Sequence, residues 1–175
     1  MFEIRIHSRG GQGGVTAARL LALSAIHDGK YATACPFYGA ERRGAPIVSF
    51  VRIDDNPIKV YSQIKKPDMV VVLDASVMDV VDVLAGLKKG GRVFINSAQK
   101  REFEGFFTSN VDLTGIALKE NLVVAGSPIL NTPVLGALAK MGIITVDSAK
   151  KSIREMFTDE RNVKAAEAAY KEMRE

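Results

Sequence analysis

The chain has 175 residues, 47% of them hydrophobic and 25% charged, and its 24 Lys and Arg against 20 Asp and Glu give a net charge of +4. These proportions are typical of a single soluble globular domain, and with 7% aromatic residues and no tryptophan they argue against a nucleic-acid-binding platform. The single cysteine excludes a disulfide framework, a cysteine-rich zinc site and an iron–sulfur cluster held by this chain alone, since such a cluster needs about four thiolates. With two histidines, His7 and His27, a multi-histidine metal site is not expected either.

Strand patterns, in which apolar residues alternate with polar ones or form short β-branched runs, recur along the chain. The predicted strands cover residues 2–7, 31–37, 47–53, 69–73 and 92–96, with weaker candidates at 111–118 and 123–125. A turn at 54–57 also predicts that residues 58–61 return as a hairpin partner of the preceding strand.

Helical patterns alternate with these strands. The predicted helices cover residues 15–27, 76–89, 131–141, 148–157 and 159–174. The first ends at Asp28 and Gly29, because glycine tolerates the left-handed turn at a helix end. Asp147 or Ser148 is the predicted cap of the fourth. The narrow apolar stripe of the last helix fits either its own core or a partner surface.

This alternation predicts an α/β, three-layer (Rossmann-like) fold, with a mostly parallel sheet flanked by helices and an antiparallel hairpin excursion. We expect residues 1–175 to form one domain, because the sequence contains no linker or repeat. No run approaches the ~18 apolar residues of a membrane span, and Met1 leads directly into a strand pattern. We therefore expect a cytoplasmic protein without a signal peptide.

The sharpest motif is RGGQGGVT, residues 9–16, which follows the first strand and opens the first helix. Glycines let the backbone approach a ligand, and the free N–H groups and dipole of a helix start favour an anion. The dinucleotide fingerprint is only partly met, because Gly11 and Gly13 have the first spacing but Thr16 occupies the third glycine position. An anion site and a tight packing turn are equally compatible with this motif.

A second motif, GAERRGAP at residues 39–46, is predicted to be a loop at the same end of the sheet. Its paired arginines, Arg42 and Arg43, could hold a phosphate or a partner's carboxylates. Alternatively, they pair with the neighbouring Glu41.

The remaining polar features are weaker. The segment from Ser127 to Pro133 joins a strand to a helix, and helix capping by Asn131 or Thr132 explains it. Asp74 ends a strand at the functional edge of the sheet, and Cys35 is expected to be buried and inert.

Three segments together resemble the gamma subunit of the pyruvate and 2-ketoisovalerate (2-oxoacid) ferredoxin oxidoreductase family. They are RGGQGGVTAARLLA, YATACPFYGAERRGAPIVSFVRIDDNPI and NTPVLGALAKMGI, and the resemblance extends from Met1 to about Glu172. The glycine loop together with GAERRGAP favours the pyruvate branch over the 2-oxoglutarate and indolepyruvate branches.

The resemblance implies a heteromeric enzyme with alpha, beta and delta partner subunits. That enzyme oxidatively decarboxylates a 2-oxoacid with coenzyme A, forms acyl-CoA and CO2, and reduces ferredoxin. The resemblance also implies that thiamine diphosphate and the iron–sulfur clusters are held by partner chains. The gamma chain helps to form the coenzyme A site and carries no catalytic residue.

We therefore hypothesise that Arg42 and Arg43 contact coenzyme A phosphates, while Gly10, Gly11, Gln12, Gly13 and Gly14 shape the turn at the helix start. Coenzyme A carries a diphosphate and a ribose phosphate, which suit cationic side chains and exposed N–H groups. Two alternatives are a free-standing nucleotide-binding or regulatory domain and a purely structural subunit with both loops at interfaces.

Overall fold

A computed structural model describes residues 1–37 and 43–173 of the chain. Its main sheet has six strands in the order β2-β3-β1-β4-β5-β6. The strands are β1 (Phe2–Arg9), β2 (Tyr31–Phe37), β3 (Pro46–Asp54), β4 (Met69–Val72), β5 (Arg92–Asn96) and β6 (Phe107–Val111). The strands β1, β4, β5 and β6 are parallel, whereas β3 is antiparallel to both of its neighbours. This confirms the predicted α/β fold with a mostly parallel sheet.

Alternation along β1 separates the two faces of the sheet. Ile4 pairs with Val51 of β3 and with Met69 of β4, and all three are completely buried on one face. Arg5, the next residue along, belongs to the opposite face. The period of two therefore decides which side chains of β1 enter the larger core.

Five α-helices contribute apolar residues to the core on the Ile4 face. They are α1 (Gly14–His27), α2 (Leu113–Lys119), α3 (Pro133–Lys140), α4 (Val146–Met156) and α5 (Arg161–Glu172). The apolar stripe of α5 packs on the protein's own core, with Val163 and Ala166 almost fully buried. A Cβ at Gly136 of α3 would lie 1.8 Å from the carbonyl oxygen of Ala166, so a glycine lets these two helices touch.

The opposite face carries a smaller cluster formed by valines of β4 and by Ile95 of β5. It is covered by a short 3₁₀ helix (Ala75–Asp79) and by the turns that follow it. No α-helix in the described part of the chain contributes to this cluster. Among the described residues, only the Ile4 face therefore has a full helical layer.

The predicted helix at 76–89 is wrong beyond its first turn. Its valines lose side-chain freedom in a helix, and the Asp82 carboxylate accepts a hydrogen bond from the backbone N–H of Leu84 at 3.1 Å. Gly86 then takes φ +73°, where a Cβ would lie 2.2 Å from the carbonyl oxygen of Lys65. Local side-chain bonds and tertiary contact thus replace the helical pattern with turns.

Other strands and helices also differ from those that the sequence predicts. Residues 58–61 form no strand, because both edges of β3 are already paired, with β1 on one side and β2 on the other. The candidate strand at 111–118 instead ends β6 and begins α2, where Asp112 accepts a hydrogen bond from the N–H of Gly115 at 2.8 Å. The region around 123–125 forms only a two-residue strand, β7 (Val123–Val124), paired with β8 (Ser127–Pro128).

Candidate functional site

The glycine loop lies between the carboxyl end of β1 and the start of α1. Gly11 and Gly13 have φ values of +94° and +85°, a left-handed region that disfavours other residues. A Cβ at Gly13 would also lie only 2.9 Å from the Cβ of Asn131, in the segment that precedes α3. Glycine at position 13 therefore allows a close contact between two distant segments. A larger side chain there would prevent that contact.

The loop is anchored to the end of β4 through Gln12. Its Nε2 donates to Oδ2 of Asp74 at 2.6 Å, and its Oε1 accepts from the backbone N–H of Arg9 at 2.9 Å. The Arg9 guanidinium donates to the hydroxyl and the carbonyl of Ser76 and to the carbonyl of Gly44. Asp74, which is only a weak candidate from the sequence alone, thus anchors this hydrogen-bond network to the end of β4.

The electrostatics of Asp74 match that role. Its partial burial raises the pKa of the carboxyl group, but hydrogen bonds from Ser76 and Gln12 and the positive charge of Arg9 outweigh burial and hold the pKa below its ordinary value. The ionised carboxylate therefore stabilises the loop around neutral pH.

The described end of the second loop lies directly against the glycine loop. The N–H of Gly10 donates to the carbonyl of Ala45 at 2.9 Å, and the N–H of Gly44 donates to the carbonyl of Gly10 at 3.1 Å. Arg43 donates from Nη2 to the carbonyl of Ala125 and to the Ser127 hydroxyl. Arg43 thus links this loop to the β7–β8 turn, whereas Arg42 and Glu41 lie outside the described residues.

A pocket of about 390 Å³, here called the glycine pocket, opens at the start of α1. It is lined by Ser8, Arg9, Gly11, Gly13, Gly14, Val15, Thr16, Ile47, Val124, Ile129, Asn131 and Phe157. The first backbone hydrogen bond of the helix joins the N–H of Ala17 to the carbonyl of Gly13. The N–H groups of Gly14 to Thr16 accordingly have no partner within the helix and are available to an anion.

Asn131 is a pocket residue that sequence reasoning explained only as a helix cap. Thr132 occupies the cap position of α3, but no side chain caps that helix, and its hydroxyl bonds Asn162 instead. Asn131 is 5% exposed, and its Oδ1 is buried without a hydrogen-bond partner in the described structure. A buried carboxamide oxygen without a partner is costly, so its position in the pocket points to a ligand.

The other chemically active side chains contribute little here. Cys35, expected to be buried, is only half-buried and forms no disulfide. Among the residues that the structure describes, no group of three metal-ligating side chains could hold a metal ion. In that same part of the chain, no helix combines the length and the apolar character needed to cross a membrane.

Nearly the whole length of this chain matches a known protein family. The model of the pyruvate ferredoxin/flavodoxin oxidoreductase family matches residues 3–172. The chain belongs to this family. The match spans both the glycine loop and the segment that carries Asn131, so the resemblance based on three sequence segments is confirmed.

Two relatives show the extent of the similarity. The chain is 49% identical to the pyruvate/ketoisovalerate oxidoreductases common subunit gamma of Thermococcus kodakarensis, over 97% of this chain and 96% of the relative. It is 50% identical to the pyruvate synthase subunit PorC of Methanocaldococcus jannaschii, over 99% of this chain and 97% of the relative.

A solved structure has the same fold. The pyruvate oxidoreductase subunit PORC of Thermotoga maritima superposes with a TM-score of 0.83 at 36% identity, covering 99% of this chain and 97% of that chain. The family match in sequence and the match in fold therefore agree.

Proposed function

We propose that this chain is the gamma subunit of a heteromeric 2-oxoacid:ferredoxin oxidoreductase that acts on pyruvate. The complex would decarboxylate the 2-oxoacid, transfer the acyl group to coenzyme A and pass the electrons to ferredoxin. Near-full-length identity of about half to a gamma subunit and to a PorC subunit supports this assignment. We further propose that residues 1–175 form one cytoplasmic gamma-type domain, since the larger core draws on residues from Ile4 to Met173.

The proposed division of labour places the redox chemistry on other chains. Thiamine diphosphate and the iron–sulfur clusters would be held by alpha, beta and delta subunits. A single cysteine in this chain supports that arrangement, because a cluster needs about four thiolates. This chain would not be catalytic alone.

We propose that the glycine pocket binds a phosphate group of coenzyme A. The observation that carries this proposal is the free N-terminus of the 14-residue helix α1, which opens into a pocket beside the unpartnered Oδ1 of Asn131. Free N–H groups and the helix dipole favour the phosphate, while the Asn131 carboxamide can pair with a hydroxyl or amino group next to it. Arg42 and Arg43 would complete the cationic side of this site.

The contacts of Arg43 allow a second role for that residue. Its Nη2 already bonds the carbonyl of Ala125 and the hydroxyl of Ser127, so it can act by holding two loops around the glycine pocket. In that case replacing Arg43 would weaken coenzyme A binding indirectly, through the position of the β7–β8 turn.

The substrate also has a second candidate. The Thermococcus kodakarensis relative is called a common subunit of pyruvate and ketoisovalerate oxidoreductases. A gamma chain of this kind could serve both enzymes, and 2-ketoisovalerate is therefore the alternative substrate for a complex containing this chain.

The function is tested by purifying the native complex through a tag on this chain. We expect pyruvate- and coenzyme A-dependent ferredoxin reduction, with thiamine diphosphate and iron in the co-purified chains. A lone monomer without associated activity would refute the assignment, and activity on 2-ketoisovalerate alone would select the alternative substrate.

The coenzyme A site is tested in that complex by the Michaelis constant. Asn131→Asp keeps the shape of the side chain but brings a negative charge to the anion site, so we expect a rise of about tenfold or more in the KM for coenzyme A. Asn131→Ala loses one hydrogen bond, which corresponds to about two- to tenfold. Arg42→Ala with Arg43→Ala should also raise this KM, whereas Arg19→Ala, on an exposed turn of α1, serves as the control.

An unchanged KM for coenzyme A in both the Asn131→Asp and the double-arginine variants would reject the phosphate site. The KM for pyruvate should stay constant in all of them, because the substrate skeleton is recognised at the thiamine site of other chains. A parallel rise in both constants would point instead to disrupted assembly.

A further inference from the structure

A groove lies on the face of the sheet opposite the larger core, away from the glycine pocket. It has a volume of about 400 Å³ and is called the Arg5 groove here. It is lined by Arg5, His7, Val48, Phe50, Gln63, Ile64, Lys65, Val81, Asp82, Ala85 and Gly86. Its floor is β1 and β3, and its walls are the segments around residues 63–65 and 81–86.

The guanidinium of Arg5 is the unusual feature of this groove. Arg5 is only 9% exposed, and its Nη2 donates to the carbonyl of Val83 at 2.8 Å. Its Nε is buried without a hydrogen-bond partner, and no carboxylate of the described residues lies within 4.0 Å of it. Burying a cation without a counter-ion is costly, so native proteins rarely leave one unpaired.

The nearby Asp82 supplies only part of that counter-charge, without a direct ion pair. Asp82 lines the groove, but its Oδ1 accepts the backbone N–H of Leu84, and it forms no ion pair with Arg5. Burial lowers the pKa of Arg5 more than the charge of Asp82 raises it. The described part of the chain thus compensates the charge of Arg5 only in part.

Two further groups point to the same kind of ligand. His7 is 5% exposed, and its Nε2 is buried without a partner in the described structure. Lys65 adds a second positive charge, which is exposed at the rim. The rim is held in place where the backbone of Gly86 packs against the carbonyl of Lys65.

The surroundings of the groove indicate a protein ligand rather than a small molecule. Tyr61 is 72% exposed and Val80 is 66% exposed, on segments that flank the groove. The segment that carries Tyr61 is held down by Arg52, whose Nη2 donates to the carbonyl of Ser62 at 2.7 Å. Exposed apolar side chains around a cationic centre have the arrangement of an interface with a buried charged anchor.

We propose that the Arg5 groove docks a partner chain of the oxidoreductase complex, which inserts an acidic side chain between Arg5 and Lys65 and covers Tyr61 and Val80. This inference rests on the proposed function, because it requires the chain to be a subunit. The partner's carboxylate would neutralise Arg5 only in the complex. Assembly would therefore be stabilised by a charge that destabilises the isolated chain.

The test is competitive assembly. A chain carrying Arg5→Met and a wild-type chain, with different tags, are expressed together with the other subunits of the native complex. We expect the variant to be incorporated at least about tenfold less than the wild type, while Arg101→Met, an exposed arginine, is incorporated equally. The isolated Arg5→Met chain should melt at the same or a higher temperature, because an unpaired buried charge has been removed.

Equal incorporation of the Arg5→Met and Arg101→Met chains would overturn the proposal, as would a lower melting temperature of isolated Arg5→Met with unchanged incorporation. Failure of the wild-type chain to assemble with any subunit would instead overturn the proposed function. A rise in melting temperature with millimolar succinate in the wild type but not in Arg5→Met would assign the groove to a small carboxylate and reject the protein partner.

A second measurement holds even if the Arg5→Met chain does not fold. Carbodiimide treatment of the wild-type complex joins lysines to carboxylates in direct contact. We expect a cross-link between Lys65 and an Asp or Glu of another subunit, and the exposed Lys59 serves as the comparison. Coupling of Lys65 to acidic residues of its own chain alone would contradict the proposal.

Discussion

Gln12 and Asp74 join the glycine loop to the sheet through a hydrogen bond of 2.6 Å between Nε2 and Oδ2. Because Oε1 of the same carboxamide accepts from the backbone N–H of Arg9, its orientation is fixed at both ends. The start of α1 is therefore tied to the end of β4, and the loop holds its shape before any ligand binds. Such preorganisation lowers the cost of binding an anion there.

Replacing Asp74 with Asn should loosen this loop. One carboxylate oxygen accepts from Gln12 and the other from the backbone N–H of Ser76, so an amide must turn its own donor toward one of these two donors. We expect a loss of about 1–2 kcal/mol in the free energy of unfolding at pH 7. The folded pKa of Asp74 lies below its ordinary value, so its contribution is present above about pH 4 and disappears as the pH falls through the folded pKa.

Urea denaturation at several pH values should show the wild type and the Asp74→Asn protein converging in acid. The exposed Asp79→Asn is the matched control, because Asp79 lies on the same short 3₁₀ helix segment. Equal losses in both variants would contradict an anchoring role for Asp74.

Gly13 and Gly29 have similar φ angles but different surroundings, so substituting each one separates the cost of backbone strain from the cost of a steric contact. Gly29 has φ +78°, and no atom lies within 4 Å of the position that a Cβ would take, whereas Gly13 has φ +85° and faces Asn131 at 2.9 Å. We expect Gly29→Ala to cost about 1 kcal/mol through the left-handed backbone alone, and Gly13→Ala to cost about 2–3 kcal/mol because the contact adds to it. Thermal denaturation of both chains measures the difference. Equal costs would show that the close approach to Asn131 relaxes freely.

His7 should make the isolated chain sensitive to acid. Burial, with a smaller contribution from the charge of Arg5, lowers the pKa of His7 from 6.5 to about 4. The unfolded chain therefore binds the proton first, and stability falls as the pH drops from about 6.5 to about 4. Between about pH 7.5 and 4.5 the wild type should lose about 2–3 kcal/mol more than His7→Gln, as measured by urea denaturation at each pH. Equal losses of stability in both proteins would show that the folded chain does not lower the pKa of His7.

Asp28 connects the end of α1 to the start of α4. Its carboxylate accepts hydrogen bonds from the backbone N–H of Thr145 at 2.8 Å and from the Thr145 hydroxyl at 2.6 Å, and it also bonds the Ser148 hydroxyl. Asp28→Ala should cost about 1–2 kcal/mol in the free energy of unfolding, because it removes three bonds at a helix start. Asp147→Ala removes an exposed acid from the same helix turn and should cost less than about half as much. Guanidinium titrations of the two variants compare them directly.

The α4 start also shows where cap prediction succeeds and fails. The sequence places a helix at 148–157 with Asp147 or Ser148 as its cap, whereas the helix spans Val146–Met156 and Thr145 is the cap. The element is predictable from its apolar spacing. The cap itself is local, because Oγ1 of Thr145 accepts from the backbone N–H of Ser148 at 3.2 Å. The tertiary structure adds Asp28, far away in the chain, which accepts the hydrogen bond of the same hydroxyl.

The sequence by itself determines the features that depend on local chemistry. The alternation in residues 2–7 assigns Ile4 to the core, and the glycines at 11 and 13 mark a left-handed turn between a strand and a helix. The same residues carry the resemblance to the family, which the match over residues 3–172 confirms. The alternation of apolar and polar residues and the conformational freedom of glycine are local properties of the chain, so no tertiary contact is needed to infer them.

Only the tertiary structure decides which distant groups meet. It brings Asn131 against Gly13. It replaces the helix predicted at 76–89 with a short 3₁₀ helix and turns that cover the second face of the sheet. It also buries Arg5 without a carboxylate within 4.0 Å in the described chain. Each outcome depends on the burial of a polar group or on contact between segments far apart in sequence. The free energy of such groups depends on their surroundings rather than on their neighbours along the chain, and only the folded molecule contains those surroundings.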